Sequence, residues 1–166
     1  MPVISIVGRS DSGKTTLIER LVPVLAGRDY RVATVKHHHG DYFEADTRGK
    51  DSWRHGQAGA VATALCARHQ LAIFLKTEAR VPLEDVVRQL VSARFDLVLT
   101  EGFKDGPFPK IEVVRAALCQ PPLCRREDGL IALVTDADWK LGVARFGLDD
   151  VGPIADFIAR FLSPVC

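Results

Sequence analysis

Apolar residues fall into short runs separated by longer amphipathic stretches, and the alternation predicts the order of elements. VISIVG (residues 3–8) is a β-branched run that reads as a strand. Leu17, Ile18, Leu21 and Leu25 recur at helical spacing and predict a helix over 14–26, with Gly27 as its C-cap and Pro23 as a kink or an early end. RVATVK (31–36) is a second strand, 37–50 a polar loop, and 51–59 a short helix with Asp51 near its N-cap. AVATALCA (60–67) and LAIFLK (71–76), joined through Arg68-His69-Gln70, predict a hairpin that is apolar at nearly every position. A helix follows over 82–95, with proline in its first turn. Strands are predicted at 96–103, 111–116 and 130–136, and an amphipathic helix at 149–162 carries Val151, Ile154, Ala155, Ile158, Phe161 and Leu162 on one face.

Strands alternating with helices imply a three-layer α/β/α fold around a mostly parallel sheet, with the antiparallel hairpin at its edge. At 166 residues the chain fits one domain spanning 1–166. The hairpin at 60–76 is more apolar than a one-sided edge strand requires, which predicts burial by a second subunit. Residues 119–129 (CQPPLCRREDG) read as the loop most free to move.

Composition narrows the class. A hydrophobic fraction of 47% and a net charge of +1 are those of an ordinary globular protein and argue against a nucleic-acid or membrane-surface protein. No apolar run approaches the roughly 18 residues of a membrane span, and MPVISIVG lacks a basic start and a cleavage site. A cytoplasmic location is the expectation. Cys66, Cys119, Cys124 and Cys166 form no CxxC pair and read as reduced thiols.

The first chemistry lies between the first strand and the first helix. Gly8-Arg9-Ser10-Asp11-Ser12-Gly13-Lys14-Thr15 matches G-x-x-x-x-G-K-S/T, the P-loop. Its glycines permit backbone angles that aim successive N–H groups into one concavity, and the following helix adds its positive end. Lys14 is expected to reach the β- and γ-phosphates, and the Thr15 hydroxyl to hold Mg²⁺. Glu101, ending the strand LVLT, is placed to orient Mg²⁺ or an attacking water, and Lys36 ends a strand on the same side. A guanine reader needs a carboxylate, which GTPases place in an N/T-K-x-D tetrad after a strand. Thr135-Asp136-Ala137-Asp138 fits the outer positions and lacks the lysine, so Asp138 is a candidate that favours GTP over ATP only weakly.

Residues 35–60 (VKHHHGDYFEADTRGKDSWRHGQAGA) gather His37, His38, His39 and His55 with Asp41, Glu44, Asp46 and Asp51. Imidazole and carboxylate together suit transition metals, though adjacent histidines in extended chain point to alternating sides. The same segment starts at a strand's carboxyl end, where Lys50, Arg54 and His37 are placed to meet an anionic ligand.

With these residues in view, the chain resembles the MobB family, adapters of molybdopterin-guanine dinucleotide biosynthesis. The likeness runs along essentially the whole chain through GRSDSGKTTLIERLVPVL, the histidine-rich segment, LVLTEGFK and DDVGPIADFIARFL. Arg48 stands where that family usually has a proline. The resemblance implies a P-loop fold, GTP binding with weak hydrolysis, and a homodimer. It also implies partnership with the molybdenum cofactor guanylyltransferase and molybdenum-insertion proteins. Gly8, Gly13, Lys14, Thr15 and Thr16 match the family's phosphate loop, and Lys36, His37, Lys50, Asp51 and Glu101 match motif positions near the nucleotide. Two other readings of the same residues stand beside it. One is a small-molecule kinase with Glu101 or Asp46 as base, and the other is a metal-delivery GTPase using the histidines.

Overall fold

The computed structural model describes residues 2–38, 40, 43–90 and 95–162. His39, Asp41, residues 91–94 of the predicted third helix, and Cys166 lie outside the described residues. The chain divides into two compact units, Met1–His37 with Leu83–Cys166, and His38–Pro82.

The first unit is built on a six-stranded sheet. In chain order it contains β1 (Val3–Val7), α1 (Lys14–Ala26), β2 (Val32–Lys36), α3 (Leu83–Leu90), β5 (Leu97–Glu101), β6 (Lys110–Val114), β7 (Leu130–Thr135), β8 (Ala144–Phe146) and α4 (Val151–Leu162). The strand order is β2-β5-β1-β6-β7-β8, and every recorded pairing is parallel. Alternation sorts the two faces. Ile4 and Ile6 of β1, Leu97 and Leu99 of β5, and Ile111 and Val113 of β6 pack under α1 and α4. Val3 and Val98 face α3, and Val7 and Val114 face the segments that carry Leu123, Cys124 and Trp139. Burying both faces is what the continuous apolar runs of the sequence require.

After β1 the chain passes through α1 to β2 on one side of β1, and after β6 it continues to β7 and β8 on the other. The order therefore reverses between β1 and β6. Parallel sheets bind ligands at such a point, outside the carboxyl ends of the strands.

The second unit holds α2 (Asp51–Gln57) and the hairpin of β3 (Ala62–Ala67) and β4 (Gln70–Leu75). The hairpin is antiparallel, as the sequence predicts, but it forms a two-stranded sheet of its own rather than an added edge of the six-stranded one. Leu71, Ile73 and Leu75 share one face with Ala62, Ala64 and Cys66, and Leu71, Ile73 and Leu75 are each more than 60% exposed.

Asp51 opens α2 directly after its N-cap, Lys50, as the sequence suggests. Two details differ from the sequence expectation. Pro23 does not end α1, which runs on to Ala26 and closes with the Gly27 N–H donating to the Pro23 carbonyl. Strand β8 was not expected, because a three-residue stretch (ARF) carries no readable alternation.

Candidate functional site

The segment from Gly8 to Thr15 leaves the buried end of β1 and enters α1. Gly8 has φ +139°, and a Cβ there would stand 2.4 Å from the Val113 carbonyl oxygen on β6. A side chain at this position cannot coexist with the close approach of the two strands. Asp11 and Gly13 also have positive φ, +60° and +100°. Gly13 is the N-cap of α1, and its carbonyl accepts from the Leu17 N–H at 2.9 Å. The first N–H groups of a helix have no acceptor within it, so those of Lys14, Thr15 and Thr16 remain available as donors. No acidic side chain occupies this first turn to compete for them. Ser12 Oγ and Arg9 Nε are buried within the segment and have no hydrogen-bond partner among the described residues. Backbone donors at a helix N-terminus, reached through a loop with positive φ at Gly8, Asp11 and Gly13, fit a phosphate chain. Ser10 and Thr16 are exposed at its rim.

Three charged side chains converge on this loop. Lys14 Nζ donates to the Arg9 carbonyl at 2.5 Å. Burial lowers the Lys14 ammonium below the usual lysine range, Glu101 and Asp11 oppose that shift, and Lys36 adds to it. Thr15 Oγ1 donates to Glu101 Oε1 at 2.8 Å, and Lys36 Nζ lies 3.3 Å from the same oxygen. The register explains the meeting: Glu101 is paired with Ile6 on one side and Lys36 on the other, at the carboxyl ends of three adjacent strands. Glu101 is largely buried, with 15% of its side chain exposed, whereas Lys36 reaches into solvent.

His37 belongs to the same edge. Its N–H donates to the Glu101 carbonyl at 2.9 Å, and its ring meets Phe103 edge-on at 5.0 Å. Gly102 has φ +93°, and a Cβ there would approach His37 Cβ to 3.0 Å. The EGF turn thus packs against the imidazole.

Asp138 is placed two strands away from β1, after β7. Its Oδ1 pairs with Arg145 Nη1 at 2.5 Å, with most of the carboxylate still exposed. Asp136 does different work. Its Oδ1 accepts from the Ala116 N–H at 2.6 Å, tying the turn after β6 to the end of β7.

Lys50 and Asp51 lie in the second unit. Lys50 caps α2 through its backbone, and Asp51 pairs loosely with Arg54 at 3.7 Å. Asp46 accepts from the Thr47 N–H at 2.7 Å and from Ser52 Oγ at 3.1 Å, so it organises its own turn. His38 packs against Phe43. Among the described residues no group of three His, Cys, Asp or Glu side chains is arranged to hold a metal ion. Nor is any described helix long and apolar enough to cross a membrane.

Sequence reasoning missed two residues beside the loop. Arg115, after β6, donates from Nε to the Ser12 carbonyl at 3.0 Å. Glu112, in mid-strand and 1% exposed, accepts from the Leu123 and Cys124 N–H groups at 2.6 and 2.9 Å. Burial raises the Glu112 carboxyl above the usual carboxylate range, against those two hydrogen bonds and the Arg9 charge. These bonds fasten the centre of the predicted mobile loop, and Cys124 is buried there with its thiol pushed up to about 11, chiefly by burial. The only signal for either residue is a charge inside an otherwise apolar run.

Comparison with known proteins gives the chain's family. A family described as molybdopterin guanine dinucleotide synthesis protein B matches residues 3–136. The molybdopterin-guanine dinucleotide biosynthesis adapter protein of Haemophilus influenzae is 36% identical, over 98% of this chain and 90% of its own length. That of Escherichia coli is 32% identical, over 98% and 94%. The crystal structure of a MobB homologue from Bacillus stearothermophilus superposes with a TM-score of 0.70 at 30% identity, covering 98% of each chain. A match that takes in the glycine loop, the Thr15–Glu101 pair and the sheet that positions them makes this chain a member of the MobB family.

Proposed function

We propose that this chain is a cytoplasmic GTP-binding adapter with slow GTPase activity, acting in assembly of the molybdopterin guanine dinucleotide form of the molybdenum cofactor. The observation that carries the nucleotide reading is the convergence of Thr15, Glu101 and Lys36 beside Lys14 and the donor-lined loop. The adapter role rests on the chain's family and on the names of its full-length relatives.

In this reading the backbone N–H groups of residues 9–16 bind phosphate oxygens, and Lys14 leaves the Arg9 carbonyl to meet the β- and γ-phosphates. Thr15 and Glu101 hold Mg²⁺, which supplies neutralisation of phosphate charge. Lys36 balances Glu101, so the site does not present an uncompensated carboxylate to an anion. Asp138 accepts from the guanine ring N–H and amino group. His37, Lys50 and Asp51 complete the family's motif positions. The exposed Leu71, Ile73 and Leu75 face of the hairpin docks on a second copy of the chain, since an isolated two-stranded hairpin is marginal in water. Partners are the molybdenum cofactor guanylyltransferase and molybdenum-insertion proteins.

Titration of Mg·GTP and Mg·ATP against the purified protein tests this. Tighter GTP binding that Lys14→Ala removes is the expected result. Equal or tighter ATP binding overturns the guanine assignment, and unchanged binding in Lys14→Ala overturns the site.

A further inference from the structure

We infer that Arg115 is a positioning residue for the phosphate cradle: by holding the Ser12 carbonyl it turns the Gly13 N–H into the loop's concavity. The inference rests on the nucleotide reading above and assigns a role to a residue outside the P-loop pattern. Arg115 follows β6, the strand beside β1 at the point where the sheet order reverses. Its Nε donates to the Ser12 carbonyl oxygen at 3.0 Å, and its Nη2 lies 3.2 Å from where a Cβ on Gly13 would stand. The guanidinium therefore backs directly onto the Ser12–Gly13 peptide.

A trans peptide is planar, so its C=O and N–H point in opposite directions. Fixing the Ser12 oxygen toward Arg115 fixes the Gly13 N–H away from it. Without that anchor the plane turns easily, because Gly13 at φ +100° lies where glycine has wide freedom. A cradle of several N–H donors binds an anion well only when all of them are aimed beforehand. Arg115 is itself well anchored. Its carbonyl accepts from the Leu118 N–H at 3.1 Å, and Asp136 holds the next residue through the Ala116 N–H. Asp136, the first aspartate of the tetrad that lacks its lysine, thus serves the loop through Arg115.

A lysine cannot replace this arrangement. The guanidinium uses Nε for the carbonyl while its planar end lies against Gly13, and Nη1 and Nη2 make no hydrogen bond among the described residues.

The test uses full-length wild type, Lys14→Ala, Arg115→Ala and Arg115→Lys, titrated with Mg·GTP and with inorganic triphosphate, while the Gly13 amide resonance is followed by NMR. Arg115→Ala is expected to weaken both ligands by roughly tenfold, the loss of one hydrogen bond to a charged group. The Gly13 amide shift on binding should shrink with it. Arg115→Lys, which keeps the charge, should not restore affinity, and methylguanidinium added to Arg115→Ala should restore part of it. If Arg115→Ala does not fold, Arg115→Lys carries the comparison. Wild-type affinity and an unchanged Gly13 shift in Arg115→Lys, or in a folded Arg115→Ala, alongside lost binding in Lys14→Ala overturn this inference alone. Absent binding by wild type, or unchanged binding in Lys14→Ala, overturns the nucleotide reading and this inference with it.

Discussion

Thr15 Oγ1 donates to Glu101 Oε1 across 2.8 Å, joining the first turn of α1 to the end of β5 over 86 positions of sequence. The pair sets hydroxyl and carboxylate side by side, the hard-oxygen combination that Mg²⁺ prefers. Glu101→Gln keeps the shape and one acceptor but removes the charge. Nucleotide affinity measured with Mg²⁺ should fall by about tenfold or more, whereas affinity measured in EDTA should change little. Equal losses with and without the metal would show that Glu101 supports the loop instead of the ion.

Gly8 tests the loop's geometry separately from its chemistry. Gly8→Ala forces a Cβ to within 2.4 Å of the Val113 carbonyl and holds alanine at φ +139°. Urea denaturation should show a loss of about 2 kcal/mol or more, as backbone strain and forced strand separation require. Full stability in Gly8→Ala would mean that β1 and β6 part at little cost.

Glu112 predicts a pH dependence with a definite sign. Its folded-state pKa is raised by burial, so the folded protein holds the proton more tightly than the unfolded chain. The contribution to stability is full below the ordinary glutamate pKa of 4.5 and is lost as pH rises through the raised value. Glu112→Gln removes this titration and leaves one of the two backbone donors, Leu123 or Cys124, facing an amide NH₂, at a cost of about 1–3 kcal/mol. Melting curves from pH 4 upward should therefore start far apart and converge as wild type loses its advantage. A constant gap would place the titration elsewhere.

How much of this was legible in the sequence depended on distance along the chain. The glycine loop is a contiguous motif, and Glu101 and Lys36 end apolar runs, so strand ends alone located them. Register then made them neighbours. Arg115 reaches a carbonyl 103 residues earlier, and no spacing encodes such a contact. Lys110 and Glu112 were hidden for another reason. A strand that reads as apolar buries both, because Lys110 Nζ donates to the Gly106, Phe108 and Asp128 carbonyls and Glu112 accepts two N–H groups. Those partners are backbone atoms of loops, which side-chain patterning cannot report. The hairpin's pairing was plain from two apolar runs joined through Arg68-His69-Gln70, whereas its independence from the six-stranded sheet was not, because that spacing says nothing of which strand lies alongside.

Asp138 carries the base assignment, and its pairing with Arg145 at 2.5 Å sharpens the expectation. Both side chains are more than half exposed, so the ion pair contributes little to stability and leaves Asp138 free to accept from a base. Asp138→Ala should lower the ratio of GTP to ATP affinity by roughly tenfold and leave inorganic triphosphate binding unchanged. Equal losses for all three ligands would remove Asp138 from the base site.

The hairpin offers the sharpest test of assembly. Leu71, Ile73 and Leu75 lie on one face, opposite Cys66, Ala64 and Ala62 of β3, with no charged side chain among the six. Apolar surface of this kind on a two-stranded sheet gains most by docking against its own copy, because a two-fold axis through the hairpin matches each leucine with the same patch. Ile73→Asp sets a carboxylate at the centre of that face. In the monomer the position is 63% exposed, so the substitution should change the stability of the folded chain by no more than about 0.5 kcal/mol. In a dimer it buries two unpaired charges, at several kcal/mol each. Sedimentation at micromolar concentration should thus report a dimer for wild type and a monomer for Ile73→Asp, with circular dichroism alike. A monomeric wild type would leave this face to a different partner, and a dimeric Ile73→Asp would move the interface elsewhere on the chain.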